Sequence, residues 1–109
     1  MGSAHDRILK IYRKPENLES LLNEPITDIV AEKKFSDVFE RCYSPLTPDI
    51  FAFPEQNNYV WIGEIKGNDN IRCDIKAHKQ IKKYLNEAER YNISARGFIL
   101  LGNLHFEII

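Results

Sequence analysis

The sequence has few of the residues and patterns that build several common kinds of site. It contains only two cysteines, Cys42 and Cys73, and no CxxC motif or cysteine–histidine cluster, which excludes a disulfide framework and a cysteine-based zinc site. No apolar run approaches the ~20 residues that a membrane span requires, and no signal peptide is visible. A glycine-rich phosphate loop and a serine–histidine–aspartate arrangement are also absent. These absences predict a cytoplasmic protein with reduced thiols and no membrane partner.

The net charge is also small, at −1 with a pI near 6.3, so there is no overall basic signature of avid, non-specific nucleic-acid binding. The charge is uneven, however, because the chain from residue 71 onward carries seven basic and four acidic residues. A length of 109 residues corresponds to one domain, and a hydrophobic content of 43% is enough for a buried core.

Hydrophobic periodicity, with proline and glycine as breaks, predicts a three-layer α/β chain in which helices flank a mixed central sheet. Residues 7–13 are ambiguous between a strand and a helix. A short helix is predicted to begin at Pro15 and to be broken by Pro25, and a second helix is predicted over 27–42 with Thr27 as N-cap. Two strands follow around a turn at 54–58, and then a long helix from an N-cap at Asp74 to about 91. The last predicted elements are a strand over 96–101, a Gly102-Asn103 turn and a strand over 104–109.

The most informative pattern is Pro48-Asp49 followed, one hairpin later, by Glu64-Ile65-Lys66. Side chains alternate along a strand, so Glu64 and Lys66 share a face, and pairing of the two runs brings Asp49 near them. Two carboxylates and an amine can hold a divalent cation and stabilise a nearby anion, which suits phosphodiester cleavage. The alternative is that Asp49 caps a turn, that Glu64 lies on a solvated face, and that Lys66 protects an edge strand.

These residues resemble the signature of the PD-(D/E)XK nuclease superfamily, which includes restriction endonucleases, Holliday junction resolvases and RecB-type nucleases. Gln80 and Tyr84, on the helix after the Glu-x-Lys strand, resemble the Gln-xxx-Tyr motif of the RecB-like branch. The resemblance covers residues 27–109 and makes 1–26 an N-terminal extension of one domain. It implies a restriction-endonuclease-like core of αβββαβ order, in which one strand is short or missing here unless residues 70–73 supply it.

The resemblance also implies the roles of the site residues. Asp49 and Glu64 would bind Mg²⁺ or Mn²⁺, and Lys66 would position the attacking water or stabilise the developing charge. Gln80 would orient the catalytic groups or the DNA backbone, with support from Tyr84. Glu32, expected on the first core helix, is a candidate third metal ligand, although a solvated helix acid is an equal alternative.

Basic residues on the long helix form a stripe that is a candidate nucleic-acid contact beside Gln80 and Tyr84: Lys76, Lys79, Lys83 and Arg90. Lys82 is expected away from it, and the alternative for the stripe is a solvated helix face. The sequence therefore predicts a Mg²⁺-dependent endonuclease or exonuclease acting on DNA, with a homodimer through the terminal strand as a possibility. The alternatives are a catalytically silent member of this fold that binds nucleic acid or a protein, and the nuclease domain of a larger enzyme.

Overall fold

The chain forms a mixed α/β fold in a computed structural model that describes residues 3–56, 58–102 and 105–109. Its helices are Ala4–Tyr12 (α1), Pro15–Leu22 (α2), Phe35–Val38 (α3) and Ile71–Arg90 (α4). Its strands are Ile26–Ala31 (β1), Ile50–Pro54 (β2), Val60–Lys66 (β3), Ala95–Leu101 (β4) and His105–Ile108 (β5). The predicted α/β class is therefore confirmed. Among the helices described, none is both long and apolar enough to cross a membrane.

One five-stranded mixed sheet organises the molecule, with its strands in sequence order from β1 to β5. The first three strands form an antiparallel meander, β3 and β4 run parallel, and β5 returns antiparallel to β4. Helix α4 makes the crossover that a parallel pair requires. Strand β5 lies at an edge of the sheet, where a strand from a second copy could pair with it. The homodimer stays a prediction.

The two faces of the sheet are covered by different helices. On one face, Ile8 of α1 and Leu18 of α2 pack with Trp61 and Ile65 of β3. On the other face, Ile81 and three neighbours on α4 pack with β3 and β4 side chains. Alternation along β3 produces this division, because Val60 and Ile62 lie on the α4 face while Trp61 and Ile65 lie on the opposite face. The predicted N-terminal extension, residues 1–26, thus contributes both of its helices to a core.

The predicted helix over residues 27–42 is wrong. Residues Ile26–Ala31 form strand β1, and only Phe35–Val38 are helical in the rest of that segment. Ile29 and Ala31 pack on the α1/α2 face while Val30 packs on the α4 face, which is a period of two. The helical pattern through Phe35 and Phe39 is misleading because both rings pack on Phe51 of the neighbouring strand. Pairing with β2 therefore overrides local helix propensity.

Among the described residues, no strand lies between β3 and α4, where the resemblance left one short or missing. Residues 70–73 do not supply one, because Asn70 is the N-cap of α4 and its side chain accepts a hydrogen bond from the Cys73 backbone N–H at 2.9 Å. The predicted cap at Asp74 is thus one turn too late. The ambiguous segment 7–13 lies mostly in α1, and the short helix beginning at Pro15 is confirmed as α2. Residues 103 and 104, in the predicted turn and final strand, lie outside the described residues.

Gly63 leaves room for the Phe98 ring on the neighbouring strand. It pairs with Phe98 of β4, and a Cβ at position 63 would lie 2.2 Å from Cζ of the fully buried Phe98 ring. We expect Gly63→Ala to lower the free energy of unfolding by about 1–3 kcal/mol because the ring must move within a packed core. Urea denaturation followed by fluorescence of the single tryptophan, Trp61, measures this loss.

A double variant provides the control for this prediction. Phe98→Leu removes the ring that the new methyl group would meet, so Gly63→Ala should cost less in that background than in the wild type. Equal costs in the two backgrounds would show that the clash with Phe98 is not the cause.

Candidate active site

The start of β2 and the end of β3 bring Asp49 and Glu64 together. Ile50 pairs with Gly63 across the antiparallel β2–β3 ladder, so one further step places Asp49 beside Glu64. The Asp49 Oδ2 atom accepts a hydrogen bond from the Ile65 backbone N–H at 2.8 Å, which holds this carboxylate against β3. Alternation places Glu64 on the face of the sheet that α4 covers.

Glu64 is a buried acid, with only 4% of its surface exposed. Burial, the negative charge of Asp49 and a hydrogen bond with the Asp49 carboxyl group together raise the pKa of Glu64 to about 8, against the opposing effect of Lys66. At neutral pH the pair therefore keeps a proton on Glu64, which donates to the Asp49 carboxylate. Two acids that share a proton in a dry environment resemble the arrangement of catalytic or metal-binding carboxylates.

Lys66 is the third group at this point. Its Nζ atom lies 3.2 Å from Oε2 of Glu64, and its side chain is 22% exposed. Residues 64 and 66 share one face of β3, so the partly exposed ammonium group lies beside the buried Glu64 carboxyl group. The structure thus brings together all three residues of the Asp49, Glu64 and Lys66 set.

His5 is a member of this group that the sequence analysis missed. Its Nε2 atom lies 3.1 Å from Oδ1 of Asp49, the carboxylate oxygen that the Ile65 N–H leaves free. Burial lowers the pKa of His5, but the charge of Asp49 and hydrogen bonds with Asp6 and Asp49 outweigh it, and the pKa is raised above 6.5. No local pattern marks His5, because only the packing of α1 brings it to the site.

Gly67 permits this packing of α1. A Cβ at position 67 would lie 2.8 Å from the Ala4 Cβ and 3.0 Å from the His5 backbone nitrogen. The glycine therefore lets the beginning of α1 approach the end of β3, where Lys66 and Glu64 lie. The only sequence signal for this contact is a glycine directly after the Glu-x-Lys segment.

Tyr84 and Gln80 approach the acid pair from α4. Burial raises the pKa of Tyr84, and the charges of Glu64 and Asp49 raise it further, so this buried ring lies close to both acids. Its hydroxyl is 3.5 Å from the Thr47 carbonyl oxygen. One helical turn earlier, Oε1 of Gln80 is buried and has no hydrogen-bond partner among the described residues. The Gln80 amide thus keeps an unused acceptor on the side of α4 that carries Tyr84.

Glu32 does not lie where the sequence predicts it. It follows β1 instead of lying on a helix, it is exposed, and its φ is 54°. Its backbone N–H donates to the Asp49 carbonyl at 3.0 Å, so its main chain borders the site. Within the described part of the chain, its carboxylate forms no hydrogen bond or ion pair with Asp49, Glu64 or Lys66.

The basic residues of α4 lie beside a shallow recess. Lys76, Lys79 and Lys83 are exposed. Lys79, Lys83 and Arg90 line a recess of about 550 Å³, together with Leu46. Lys82, expected away from this group, lines the same recess. Four basic side chains therefore line the recess, together with Glu87, which lies 3.4 Å from Arg90, and the recess lies along the helix that carries Gln80 and Tyr84.

Comparisons of the chain with protein-family models, curated proteins and solved structures find no match. The two carboxyl groups of Asp49 and Glu64 hydrogen-bond to each other, the His5 imidazole contacts Asp49, and the Lys66 ammonium group contacts Glu64. Such a group can bind a divalent cation and neutralise the charge of a phosphate.

Proposed function

We propose that this chain is a metal-dependent nuclease of the PD-(D/E)XK type that hydrolyses phosphodiester bonds of DNA. The observation that carries the proposal is the meeting of Asp49, Glu64 and Lys66 at one buried point, with the Lys66 Nζ 3.2 Å from Glu64. Burying one carboxyl group beside another costs free energy of folding. An apolar residue would fill a purely structural position without that cost. Ionisable groups with strongly shifted pKa values cluster at functional sites.

The order of the elements supports the same proposal. A helix, a three-stranded antiparallel meander, a helix and a strand parallel to β3 follow one another from α1 to β4. This is the αβββαβ order of the superfamily, with α1 in the place of its first core helix. Three of the described elements are additions to that order: α2 between α1 and β1, the short α3 between β1 and β2, and the final strand β5.

The residues of the site fit a divalent cation. The negative charge of Asp49 raises the pKa of both Glu64 and His5, so this carboxylate favours positive charge beside it, whether from a proton or from a metal ion. Carboxylate oxygens are ligands that Mg²⁺ and Mn²⁺ prefer, and the neutral imidazole of His5 is a further donor. Asp49, Glu64 and His5 would therefore hold the ion, and Glu32 is left out of this ligand set.

Each residue has a task in hydrolysis. When bound, Mg²⁺ would supply a polarised water and a positive charge beside the phosphate. Asp49 and Glu64 fix the position of that charge, since Asp49 is itself held by the Ile65 N–H. The Lys66 ammonium stabilises negative charge that develops on the phosphate oxygens. The free Gln80 oxygen accepts a hydrogen bond from the attacking water.

Incubation with a panel of linear, branched and single-stranded DNA in Mg²⁺ or Mn²⁺ tests the proposal. We expect cleavage that requires the metal ion and stops when a chelator is added. An RNA panel run in parallel tests the preference for DNA. Cleavage without a metal ion would contradict the proposed chemistry.

The panel also separates the proposed nuclease from its alternatives. Binding of DNA without cleavage, with no binding of Mn²⁺ by calorimetry, would favour a catalytically silent module. Binding of Mn²⁺ at Asp49 and Glu64 without cleavage would favour a domain that needs the rest of a larger enzyme to present its substrate.

The lysines of α4 are expected to contact the phosphates of the bound DNA. Phosphate contacts release counterions, so Lys79→Ala and Lys83→Ala should each weaken binding and lower the slope of log affinity against log salt by about one unit. Lys82→Ala should behave in the same way because Lys82 lines the same recess. Fluorescence anisotropy at several salt concentrations measures the slope.

Lys10→Ala is the matched control for this prediction. Lys10 is an exposed lysine on α1, in the helical layer on the opposite face of the sheet. Its loss should leave the salt slope unchanged. Equal small effects from all of these lysines would show that the stripe is a solvated helix face.

A further inference from the structure

A second group of metal-ligand side chains lies on the other flank of α4. Asp74 and His78 are one turn apart on α4, Glu107 lies on β5, and one donor atom from each lies within 4.8 Å of the others. Glu64, Ile99 and Glu107 stand opposite one another across β3, β4 and β5. Glu107 is thus two strands, or about 10 Å along the sheet, from Glu64, and the donor atoms that lie together are those of Asp74, His78 and Glu107.

The orientation of His78 favours binding of a cation. Its Nδ1 atom lies 2.9 Å from the Asp74 carbonyl oxygen, which can only accept, so Nδ1 carries the proton of the neutral ring. The Nε2 atom then presents a lone pair to Oε1 of Glu107, 3.2 Å away. Two acceptors that face each other at this distance need a cation between them, either a proton or a metal ion.

The spacing of these two acceptors suits a metal ion. Tetrahedral zinc with bonds of about 2.0 Å places its ligand atoms about 3.3 Å apart. The separation of 3.2 Å between His78 Nε2 and Glu107 Oε1 agrees with this value. A ring nitrogen held by a backbone carbonyl, with the other nitrogen free to bind, is the arrangement that metal-binding histidines adopt.

Asp74, whose side chain is 41% exposed, presents one oxygen that suits a cation. Its Oδ1 atom is buried and has no hydrogen-bond partner within the described residues. Although Oδ1 lies 3.1 Å from His78 Nδ1, the proton on that nitrogen is directed to the Asp74 carbonyl. A carboxylate oxygen that is removed from water without a donor is destabilising unless a cation compensates it.

We propose that Asp74, His78 and Glu107 bind one divalent transition-metal ion of the zinc class. Imidazole together with carboxylate favours zinc over magnesium. The ion joins the first half of α4 to the edge strand β5, and three protein ligands leave one position for water. This site is separate from the proposed nuclease centre and does not depend on its activity.

Calorimetric titration of zinc into the full chain tests this site. An Asp49→Asn, Glu64→Gln double variant removes the acid pair, so zinc bound there is not counted. We expect one zinc ion per chain in this background, and a loss of affinity of ~10-fold or more when Glu107→Gln or Asp74→Asn is added. Glu89→Gln, an exposed acid elsewhere on α4, is the matched control and should leave the affinity unchanged.

The ¹⁵N resonance of His78 Nε2 provides the direct readout. Zinc should shift this resonance and leave Nδ1 protonated. Zinc binding that Glu107→Gln does not weaken, or that leaves the Nε2 resonance in place, would overturn the proposal, as would the absence of zinc binding. Because the acid pair is missing from the protein tested, none of these results bears on the nuclease proposal.

Discussion

Asp49→Asn and Glu64→Gln are each expected to lower metal-dependent DNA cleavage by ~10³-fold or more, because either change removes a charge that holds the metal ion. Lys66→Gln should lower cleavage by about 10²-fold or more, because it removes a cation that stabilises the developing phosphate charge. DNA binding should change much less, since the lysines of α4 are untouched. Single-turnover cleavage and anisotropy, measured on the same DNA, separate these two effects.

Two further variants test this result. Glu40→Gln changes an exposed acid and should leave cleavage unchanged. His5→Ala should weaken the affinity for Mn²⁺, because His5 Nε2 is 3.1 Å from Asp49 and is a candidate ligand. Full cleavage activity in Glu64→Gln would show that the acid pair has no role in the reaction. Unchanged Mn²⁺ affinity in His5→Ala would show that His5 is not a metal ligand.

In the metal-free protein, Glu64→Gln is expected to increase the free energy of unfolding at pH 8. The pKa of Glu64 rises from 4.5 in the unfolded chain to about 8 in the fold. The neutral acid therefore contributes its full stability below pH 4.5, and the wild type loses that contribution as pH rises through about 8. Since one pKa unit corresponds to about 1.4 kcal/mol, we expect the glutamine variant to be more stable by about 2–4 kcal/mol at pH 8.

Urea denaturation between pH 5 and pH 8 in the presence of a chelator measures this difference. The gain should be small at pH 5 and grow as the pH rises, because glutamine resembles the protonated acid at every pH. Glu40→Gln should show no such growth, since Glu40 is exposed. A gain that is constant with pH would show that Glu64 is not held protonated by the fold.

Much of the fold can be predicted from local pattern. The runs that become β2, β3 and β4 are dense in β-branched and aromatic residues, and the amphipathic stripe of α4 extends over 20 residues. Strand β1 cannot be predicted in this way, because its six residues are bounded by a segment with helical spacing. Only the pairing of β1 with β2, at a sheet edge, decides between the two-residue period of a strand and the 3.6-residue period of a helix.

The site shows the same division. Asp49, Glu64 and Lys66 are close in sequence and belong to one hairpin, so strand alternation and a short turn are enough to predict that they meet. His5 is 44 residues from Asp49, and their contact depends on how α1 packs beside Gly67. The same holds for Glu107 and His78, which are 29 residues apart and meet through the placement of β5.

The sequence by itself determined the α/β class, the hairpin with its acid pair, and the basic helix, because each depends on residues that are neighbours along the chain. The tertiary structure decided the identity of β1, the exclusion of Glu32 and the entry of His5. It also decided the high pKa of Glu64. These features depend on long-range packing: a carboxyl group is desolvated only when a sheet and a helix close over it, and the sequence pattern around Glu64 does not contain that information.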